Sequence, residues 1–281
     1  MPLVTSEKML LDAQAGGYAV GAFNVENMEM VKAVIAAAEE LRAPVMLQTT
    51  PSTVKYASLA MYAAIVSAEA KKASVPVALH LDHGSSFELA MQALREGYTS
   101  IMIDGSHESF EGNVDVTKRV VAAAKPNRIP VEAELGKVGG KEDDHEADAA
   151  YTDPEEAARF VRKTGVFSFA PAIGTAHGVY KAAPKLDLDR LSAIRAVVEA
   201  PLVLHGTSGV PDDQVRECIR RGVCKVNYAT ELRTVFSDAV KKYLAENPSA
   251  YDPKKYGAAG REAVRQRICQ LISLLGSSGK A

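Results

Sequence analysis

The sequence predicts an α/β fold: a (β/α)8 TIM barrel that forms a single domain over residues 1–281 and ends in a C-terminal helical tail. Short apolar runs alternate with amphipathic stretches along the chain, which is typical of parallel strands joined by helices. There are eight such runs, and 281 residues is an ordinary length for one barrel. The sequence contains no Ser/Gly-rich linker that would divide it into two domains.

The eight predicted strands are short apolar runs with polar residues or glycine near their ends. They are YAVGAFN (18–24), APVMLQ (43–48), VPVALHLD (75–82), TSIMID (99–104), IPVEAEL (129–135), VFSFAPAIG (166–174), APLVLHG (200–206) and VCKVNYAT (223–230). Barrel enzymes build their active sites at the carboxyl ends of the strands, so the polar residues at these ends are candidates for function.

Helical patterns separate the strands, for example over residues 153–165. Asp153, which precedes a proline, is typical of a helix start, and Gly165 is typical of its end. Helix-forming residues at 260–275 are expected to pack outside the barrel or on a neighbouring subunit. Residues 136–153 are predicted to form a long irregular loop, and such a loop in a compact domain is more often functional than incidental.

The composition argues against several classes of function. A net charge of −2 and an aromatic content of 6% favour neither nucleic-acid binding nor an anionic membrane surface. The N-terminus lacks a signal-peptide pattern, and no run approaches the roughly 20 apolar residues that span a bilayer. The cysteines Cys218, Cys224 and Cys269 form no CxxC pair, so we expect free thiols and a cytoplasmic protein.

Three histidines lie at predicted strand ends, namely His83, His177 and His205. Imidazole nitrogens are good zinc ligands, and three protein ligands with one open position are typical of catalytic zinc. Cobalt or manganese would also suit this donor set. Asp82 directly precedes the first histidine and could move a proton on a metal-bound molecule. One such histidine alone is more often structural, so the prediction depends on all three meeting at one rim.

Other polar residues also end predicted strands, among them Asn24, Asp104 and Glu134. Three roles suit the two acids: rim salt bridges, orientation of the ligating histidines, or a second metal position. His80 should face the same side of its strand as Asp82, either as a structural residue or as a support for the ligands.

The last two strands end in HGTSG (205–209) and NYATE (227–231). Small residues followed by helices favour a phosphate cradle of backbone N–H groups, and barrels commonly bind phosphate at these two loops. Lys181 could add a charge for a second anion, although a solvated surface lysine explains it equally well.

Six motifs resemble, in order and spacing, those of the zinc-dependent class II ketose-bisphosphate aldolases. They are HLDHG, MIDGSH, VEAELGKVGGKEDD, AIGTAHGVY, LVLHGTSG and KVNYATEL. The resemblance extends over nearly the whole chain. It is closest to the D-tagatose-1,6-bisphosphate aldolase branch, through EADAAYTDP, IGTAHG and NYATEL, with fructose-1,6-bisphosphate aldolase next.

The resemblance implies a metal centre at the histidines. His83, His177 and His205 match the ligands of one catalytic Zn²⁺. Asp104 and Glu134 match positions that hold a second cation in some members, divalent or monovalent.

The resemblance also implies two catalytic carboxylates and a set of substrate contacts. Asp82 matches the acid that exchanges the proton of the substrate C4 hydroxyl, and Glu142 matches a carboxylate that exchanges the proton of the three-carbon enolate. The candidate substrate-binding residues are Asn24, Gly178, Lys181, Gly206, Thr207, Ser208, Asn227, Tyr228, Ala229 and Thr230.

The implied reaction is reversible retro-aldol cleavage of D-tagatose 1,6-bisphosphate, D-fructose 1,6-bisphosphate or both, giving dihydroxyacetone phosphate and D-glyceraldehyde 3-phosphate. One alternative is a related aldolase for another phosphorylated keto sugar or keto-deoxy sugar acid. A non-catalytic sugar-phosphate-binding subunit is a second, and the intact Asp82 and histidines argue against it. A metal-dependent hydrolase is a third, which the phosphate cradles disfavour.

Two departures from the family pattern bear on the substrate. Ala229 stands where many fructose-bisphosphate members carry Asp or Asn, which favours the tagatose branch, and Thr207 replaces a more usual Ala or Gly. Arg261 and Arg265 in the tail are candidates for the aldehyde-side phosphate, from this chain or a neighbouring subunit. A homodimer or homotetramer is expected, and a non-catalytic activating subunit is compatible with the sequence.

Overall fold

The computed structural model describes residues 3–142, 145–147, 150–180 and 184–281, and the side chains of 141–149 are outside this description. The strands of the described residues, numbered in chain order, are β1 (Val20–Asn24), β2 (Val45–Thr49), β3 (Val77–Gly84), β4 (Ser100–Ile103), β5 (Val131–Leu135), β6 (Gly139–Glu142), β7 (His145–Ala147), β8 (Ser168–Pro171), β9 (Ala176–His177), β10 (Leu202–Leu204) and β11 (Val223–Tyr228).

Eight parallel strands close into a barrel in the order β1, β2, β3, β4, β5, β8, β10 and β11, and β11 pairs again with β1. Each predicted strand overlaps one of these barrel strands, and β2 and β3 extend one and two residues beyond the predicted ends. The predicted (β/α)8 fold in a single domain is therefore confirmed.

The prediction of an irregular loop over 136–153 was wrong in part. Within it, β6 and β7 pair antiparallel, and β6 also pairs with β9 to form a small three-stranded sheet. Gly140 permits this pairing, because its φ is 86° and a Cβ there would lie 2.3 Å from the His177 carbonyl oxygen. A charged, glycine-rich sequence hides such a pairing, since most of its strand residues have low β-propensity.

Helices cover the outside of the barrel. They are α1 (Ser6–Gly16), α2 (Met28–Leu41), α3 (Pro51–Ala57), α4 (Leu59–Ala70), α5 (Phe87–Arg95), α6 (Phe110–Ala124), α7 (Pro154–Thr164), α8 (Leu188–Val197), α9 (Asp212–Arg220), α10 (Thr230–Glu246) and α11 (Pro253–Leu274), with a 3₁₀ turn at Lys125–Asn127. The predicted caps of α7 are confirmed. The Asp153 side chain accepts from two N–H groups of its first turn, and Gly165 ends it with a φ of 67°.

The C-terminal helix α11 packs against α2 and α10 outside the barrel, in one of the two places predicted for it. None of the described helices has the length and apolar character that a membrane span requires. The three cysteines are free thiols, as predicted.

The interior of the barrel has an apolar layer at one end and polar residues above it. Met9 and Leu10 of α1 pack with Met46 and Ala78 of the barrel strands, so the N-terminal helix closes the amino end of the barrel. A second and larger core lies between the strands and the outer helices. Because these two cores hold the strands rigidly, their carboxyl ends provide a fixed frame for a site.

We predict that Leu10→Ala lowers the free energy of unfolding by about 2–5 kcal/mol, because it leaves a cavity in the closed end of the barrel. Leu10 is fully buried, whereas its neighbour Leu11 on the same helix is 45% exposed. Leu11→Ala is therefore the matched control and should change stability by less than about 0.5 kcal/mol. Urea unfolding measures the stability of both variants. Equal midpoints would contradict the conclusion that α1 closes the amino end of the barrel.

Candidate active site

The three histidines predicted as ligands come together at the carboxyl ends of the strands. Ring centroids are separated by 5.0 Å for His83 and His177, 4.7 Å for His83 and His205, and 6.1 Å for His177 and His205. One nitrogen of each ring lies within 4.8 Å of the others, which is close enough for a single metal ion to join them.

A local irregularity in β3 brings both Asp82 and His83 into this cluster. Successive side chains of a regular strand point to opposite faces, so neighbours would not normally share a site. The pairing of β3 with β4 shifts register between Leu81 and Gly84, and His83 has a φ of 49°. A bulge with a left-handed residue re-aims side chains in this way, and such strain is typical of functional sites.

Buried carboxylates determine which ring nitrogens are available to a metal. Asp104 Oδ2 lies 2.7 Å from His83 Nδ1, and Glu132 Oε1 lies 2.9 Å from His205 Nε2. An ionised carboxylate only accepts hydrogen bonds, so these two nitrogens carry the protons. The remaining nitrogens, His83 Nε2 and His205 Nδ1, then face each other at 2.9 Å with their lone pairs. Two lone pairs at this distance repel unless a cation lies beside them, so the donor set fits a metal ion.

The pKa values of His177 and His205 favour the neutral form that binds metals. Burial, followed by the neighbouring imidazoles, holds the pKa of His177 well below its ordinary value. Burial also lowers the pKa of His205, although the Glu132 hydrogen bond acts in the opposite direction. Metal binding therefore requires little removal of protons from these rings at neutral pH.

Three amide groups hold the carboxylate of Asp82. Gln48 Nε2 donates at 2.9 Å and Asn24 Nδ2 at 3.3 Å to Oδ2, and Asn227 Nδ2 donates at 3.1 Å to Oδ1. Burial alone would raise the pKa of Asp82, but His83 and His205 outweigh that effect and hold it below its ordinary value. The carboxylate is thus ionised, fixed in orientation and able to accept a proton.

A second cluster of ligand atoms consists of His83, Asp104 and Glu134. Glu134 is buried, and its Oε2 has no hydrogen-bond partner among the residues that the structure describes. Burial and the charge of Asp104 raise the pKa of Glu134 well above its ordinary value. A cation there would satisfy the orphaned oxygen and stabilise the carboxylate, so these residues fit a second metal position.

A small cavity joins the metal cluster to the predicted phosphate loops. Its lining includes most of the predicted site residues: Asn24, Asp82, His177, Gly178, Gly206, Thr207, Ser208, Asn227, Ala229 and Thr230. α10 begins at Thr230, and the Glu231 backbone N–H donates to Ser208 Oγ at 3.2 Å. Gly206 has a φ of 63°, and a Cβ there would lie 2.7 Å from the Ala176 carbonyl oxygen. Small residues at a helix N-terminus therefore form the wall of the cavity, as an anion site requires.

Comparison with known proteins identifies the family to which this chain belongs. The family model described as fructose-bisphosphate aldolase class-II matches residues 4–280. The chain belongs to the class II fructose-bisphosphate aldolase family. It is therefore a lyase of the aldol type, and this family is generally zinc-dependent.

Solved structures of class II aldolases have the same fold. The YdjI aldolase from Escherichia coli K12 is 39% identical to this chain, with 99% of each chain covered and a TM-score of 0.89. The fructose-bisphosphate aldolase from Campylobacter jejuni is 25% identical, with 100% of this chain and 97% of that chain covered and a TM-score of 0.86.

Tyr228 does not line the small cavity beside the metal cluster, and the side chains of Lys181 and Glu142 are not among those that the structure describes. The Tyr228 side chain points out of the barrel and stacks on Phe23, because strand alternation that turns Asn227 inward turns its neighbour outward. Lys181 lies outside the described residues. Glu142 is in β6, but nothing is described of its side chain.

The two tail arginines do not line the cavity of the histidine cluster. Arg261 and Arg265 line a separate cleft with Lys32 of α2. Arg265 also forms ion pairs with Glu262 and Glu40. Both arginines lie on an outer helix, away from the histidine cluster of their own chain. They could contact an aldehyde-side phosphate only in the site of a neighbouring subunit.

The sequence places Gln48 among the polar residues at strand ends without a role, and the prediction missed Glu132 and Lys225 as residues of the site. Each lies on a barrel strand, two positions before or after another inward-facing residue. Because alternate residues of a strand face the same side, this spacing could have identified them from the sequence. Glu132 precedes Glu134 and Lys225 precedes Asn227 by this spacing. His80 is also buried and bonded to Ser100 Oγ at 2.7 Å, and burial followed by Lys225 lowers its pKa to about 3.

We predict that Asp104→Asn lowers the zinc affinity of the metal-free protein about 10–100-fold, because the amide holds the His83 ring less firmly than the carboxylate does. Competition with a chromophoric chelator measures the affinity. Asp115→Asn, which changes an exposed acid on α6, is the control and should leave it unchanged. Equal affinities in the two variants would show that Asp104 does not orient His83.

Proposed function

We propose that this aldolase catalyses the reversible cleavage of D-tagatose 1,6-bisphosphate, D-fructose 1,6-bisphosphate or both, giving dihydroxyacetone phosphate and D-glyceraldehyde 3-phosphate. The observation that carries the proposal is the position of Asp82. Its ionised carboxylate lies in one cavity with His177, close to the two other histidines and beside the phosphate loops.

His83, His177 and His205 would hold the catalytic zinc, and Asp104 and Glu134 with His83 would hold a second cation. A bound zinc ion polarises the ketose carbonyl and stabilises negative charge that develops on its oxygen. Cobalt or manganese would suit the same nitrogens. The chain itself supplies the neutral ring nitrogens, the carboxylates that orient them, and a buried setting that strengthens electrostatic interactions.

Asp82 would accept the proton of the C4 hydroxyl during cleavage and return it during condensation. Retro-aldol cleavage breaks the bond between C3 and C4, so the C4 oxygen must lose its proton as the aldehyde forms. Asn227 Oδ1 is a buried acceptor that has no hydrogen-bond partner among the described residues, and Asn227 lines the cavity beside Asp82. A substrate hydroxyl group would satisfy this oxygen, which places the substrate next to the carboxylate.

The phosphate of the dihydroxyacetone half would bind against Gly178, Gly206–Ser208 and Asn227–Thr230 at the start of α10. Lys181 would add a positive charge, and Glu142 would exchange the proton of the three-carbon enolate. These last two roles rest on the family resemblance. The homodimer or homotetramer, the activating subunit and the cytoplasmic location stay predictions from the sequence.

An aldolase for another phosphorylated keto sugar or keto-deoxy sugar acid is the second candidate function. Ala229 supports it, because this residue lines the cavity and its methyl side chain offers no hydrogen bond that would select one hydroxyl configuration. A non-catalytic subunit is disfavoured, since it would have no use for an ionised carboxylate buried beside three metal-ligating nitrogens.

The decisive experiment is to measure kcat/KM of the purified protein for both bisphosphates, before and after treatment with a chelator. We expect turnover of at least one bisphosphate, loss of that turnover after chelation, and recovery when zinc is added back. The ratio of the two kcat/KM values assigns the C4 epimer. A zinc-loaded protein that cleaves neither sugar would contradict the proposed substrates and favour the second candidate function.

We predict that Asp82→Asn lowers kcat for cleavage by about 10²–10⁴-fold, because an amide cannot accept the hydroxyl proton. Its zinc affinity should stay close to that of the wild type, since Asp82 is not needed as a ligand. His205→Ala is the comparison variant and should lose both zinc and activity. Cleavage assays and zinc analysis on the same samples test this, and near wild-type turnover by Asp82→Asn would refute the assignment.

A further inference from the structure

A buried ion pair lies inside the barrel, beneath the metal cluster. The Lys225 side chain is fully buried, and Glu132 is 1% exposed. Lys225 Nζ lies 3.1 Å from Glu132 Oε1 and 3.0 Å from Oε2, so the ammonium bridges both carboxylate oxygens. Ser168 Oγ also donates to Oε2, at 3.4 Å.

This pair does not belong to the cavity where substrate would bind. Neither residue lines that cavity, whereas Asn227, two positions beyond Lys225 on β11, does. Because the strand period is two, Lys225 and Asn227 face the same way, and Lys225 lies one layer deeper. Any effect of the pair on the reaction must therefore pass through another residue.

Stability does not explain the pair. Removing two charges from water is costly, and an apolar pair of similar volume at such a position is often as stable or more so. A second observation indicates what the pair does instead. The same Glu132 Oε1 that Lys225 contacts lies 2.9 Å from His205 Nε2, on the ring edge opposite the metal cluster.

We infer that Glu132 and Lys225 are positioning residues that fix the ring orientation and tautomer of His205 for metal binding. This rests on the metal site of the proposed function. Glu132 accepts the Nε2 proton, which leaves Nδ1 with its lone pair turned toward His83 Nε2. Lys225 holds both oxygens of the carboxylate, which opposes rotation of Glu132 away from the ring.

Another neighbour of the ring does not change this assignment. Asn227 Nδ2 lies 3.3 Å from His205 Nε2 and 3.1 Å from Asp82 Oδ1. An amide N–H cannot donate to a nitrogen that carries a proton. The shorter contact, between His205 Nε2 and the Glu132 carboxylate, therefore decides the tautomer. The Asn227 amide donates to Asp82 instead.

Two variants test the inference through the zinc affinity of the metal-free protein and the visible absorption of its cobalt(II) form. Glu132→Gln keeps the shape of the side chain but leaves Lys225 unpaired. The double variant Glu132→Leu with Lys225→Met removes both charges and leaves an apolar layer. We expect each to lower zinc affinity about 10–100-fold and to alter the cobalt band. The double variant should keep at least the urea midpoint of the wild type.

Thr164→Val is the matched control, because it removes a buried hydroxyl that donates to Phe160 O at 2.8 Å on α7, away from the ligands. It should leave zinc affinity and the cobalt band unchanged, whatever its stability. Wild-type zinc affinity and cobalt absorption in a folded double variant would overturn the positioning role alone. A wild-type protein that binds no zinc would overturn the metal site and this inference together.

Discussion

Hydrogen bonding between β1 and β11 closes the barrel, and the site depends on this closure. It places Ala22 beside Asn227, so the last strand returns to the first. Asp82 then receives hydrogen bonds from Asn24, Gln48 and Asn227, which come from β1, β2 and β11. In an open sheet the first and last strands would be far apart, and the carboxylate would lack one of its three donors.

Within this rigid frame, the chemistry depends on how buried charges are satisfied. Asp82 has amide donors, Asp104 and Glu132 each hold one histidine, and Lys225 balances Glu132. Without such partners, burying each charged group costs on the order of several kcal/mol. Glu134 is the exception, because one of its oxygens has no hydrogen-bond partner within the described part of the chain, and a cation is the natural complement to it.

Much of the fold and of the site could be predicted because both depend on local patterns. Strand and helix alternation follows from the periodicity of apolar residues, and the caps of α7 follow from Asp153 and Gly165. The strand β6 was misread because one of its pairing partners, β9, is distant in sequence. The outward direction of the Tyr228 side chain was not anticipated because the motif was taken as a unit, although alternate residues of a strand face opposite sides.

The sequence by itself determined the number and order of the barrel strands and the polar residues at their ends, because these are properties of short segments. Only the tertiary structure decided which nitrogens of His83 and His205 face the metal position and which carboxylate holds the opposite edge of each ring. It also decided that Asp82 and His83 share one site, through the register shift in β3. The physical reason is that tautomers and side-chain directions depend on contacts between strands that only barrel closure brings together.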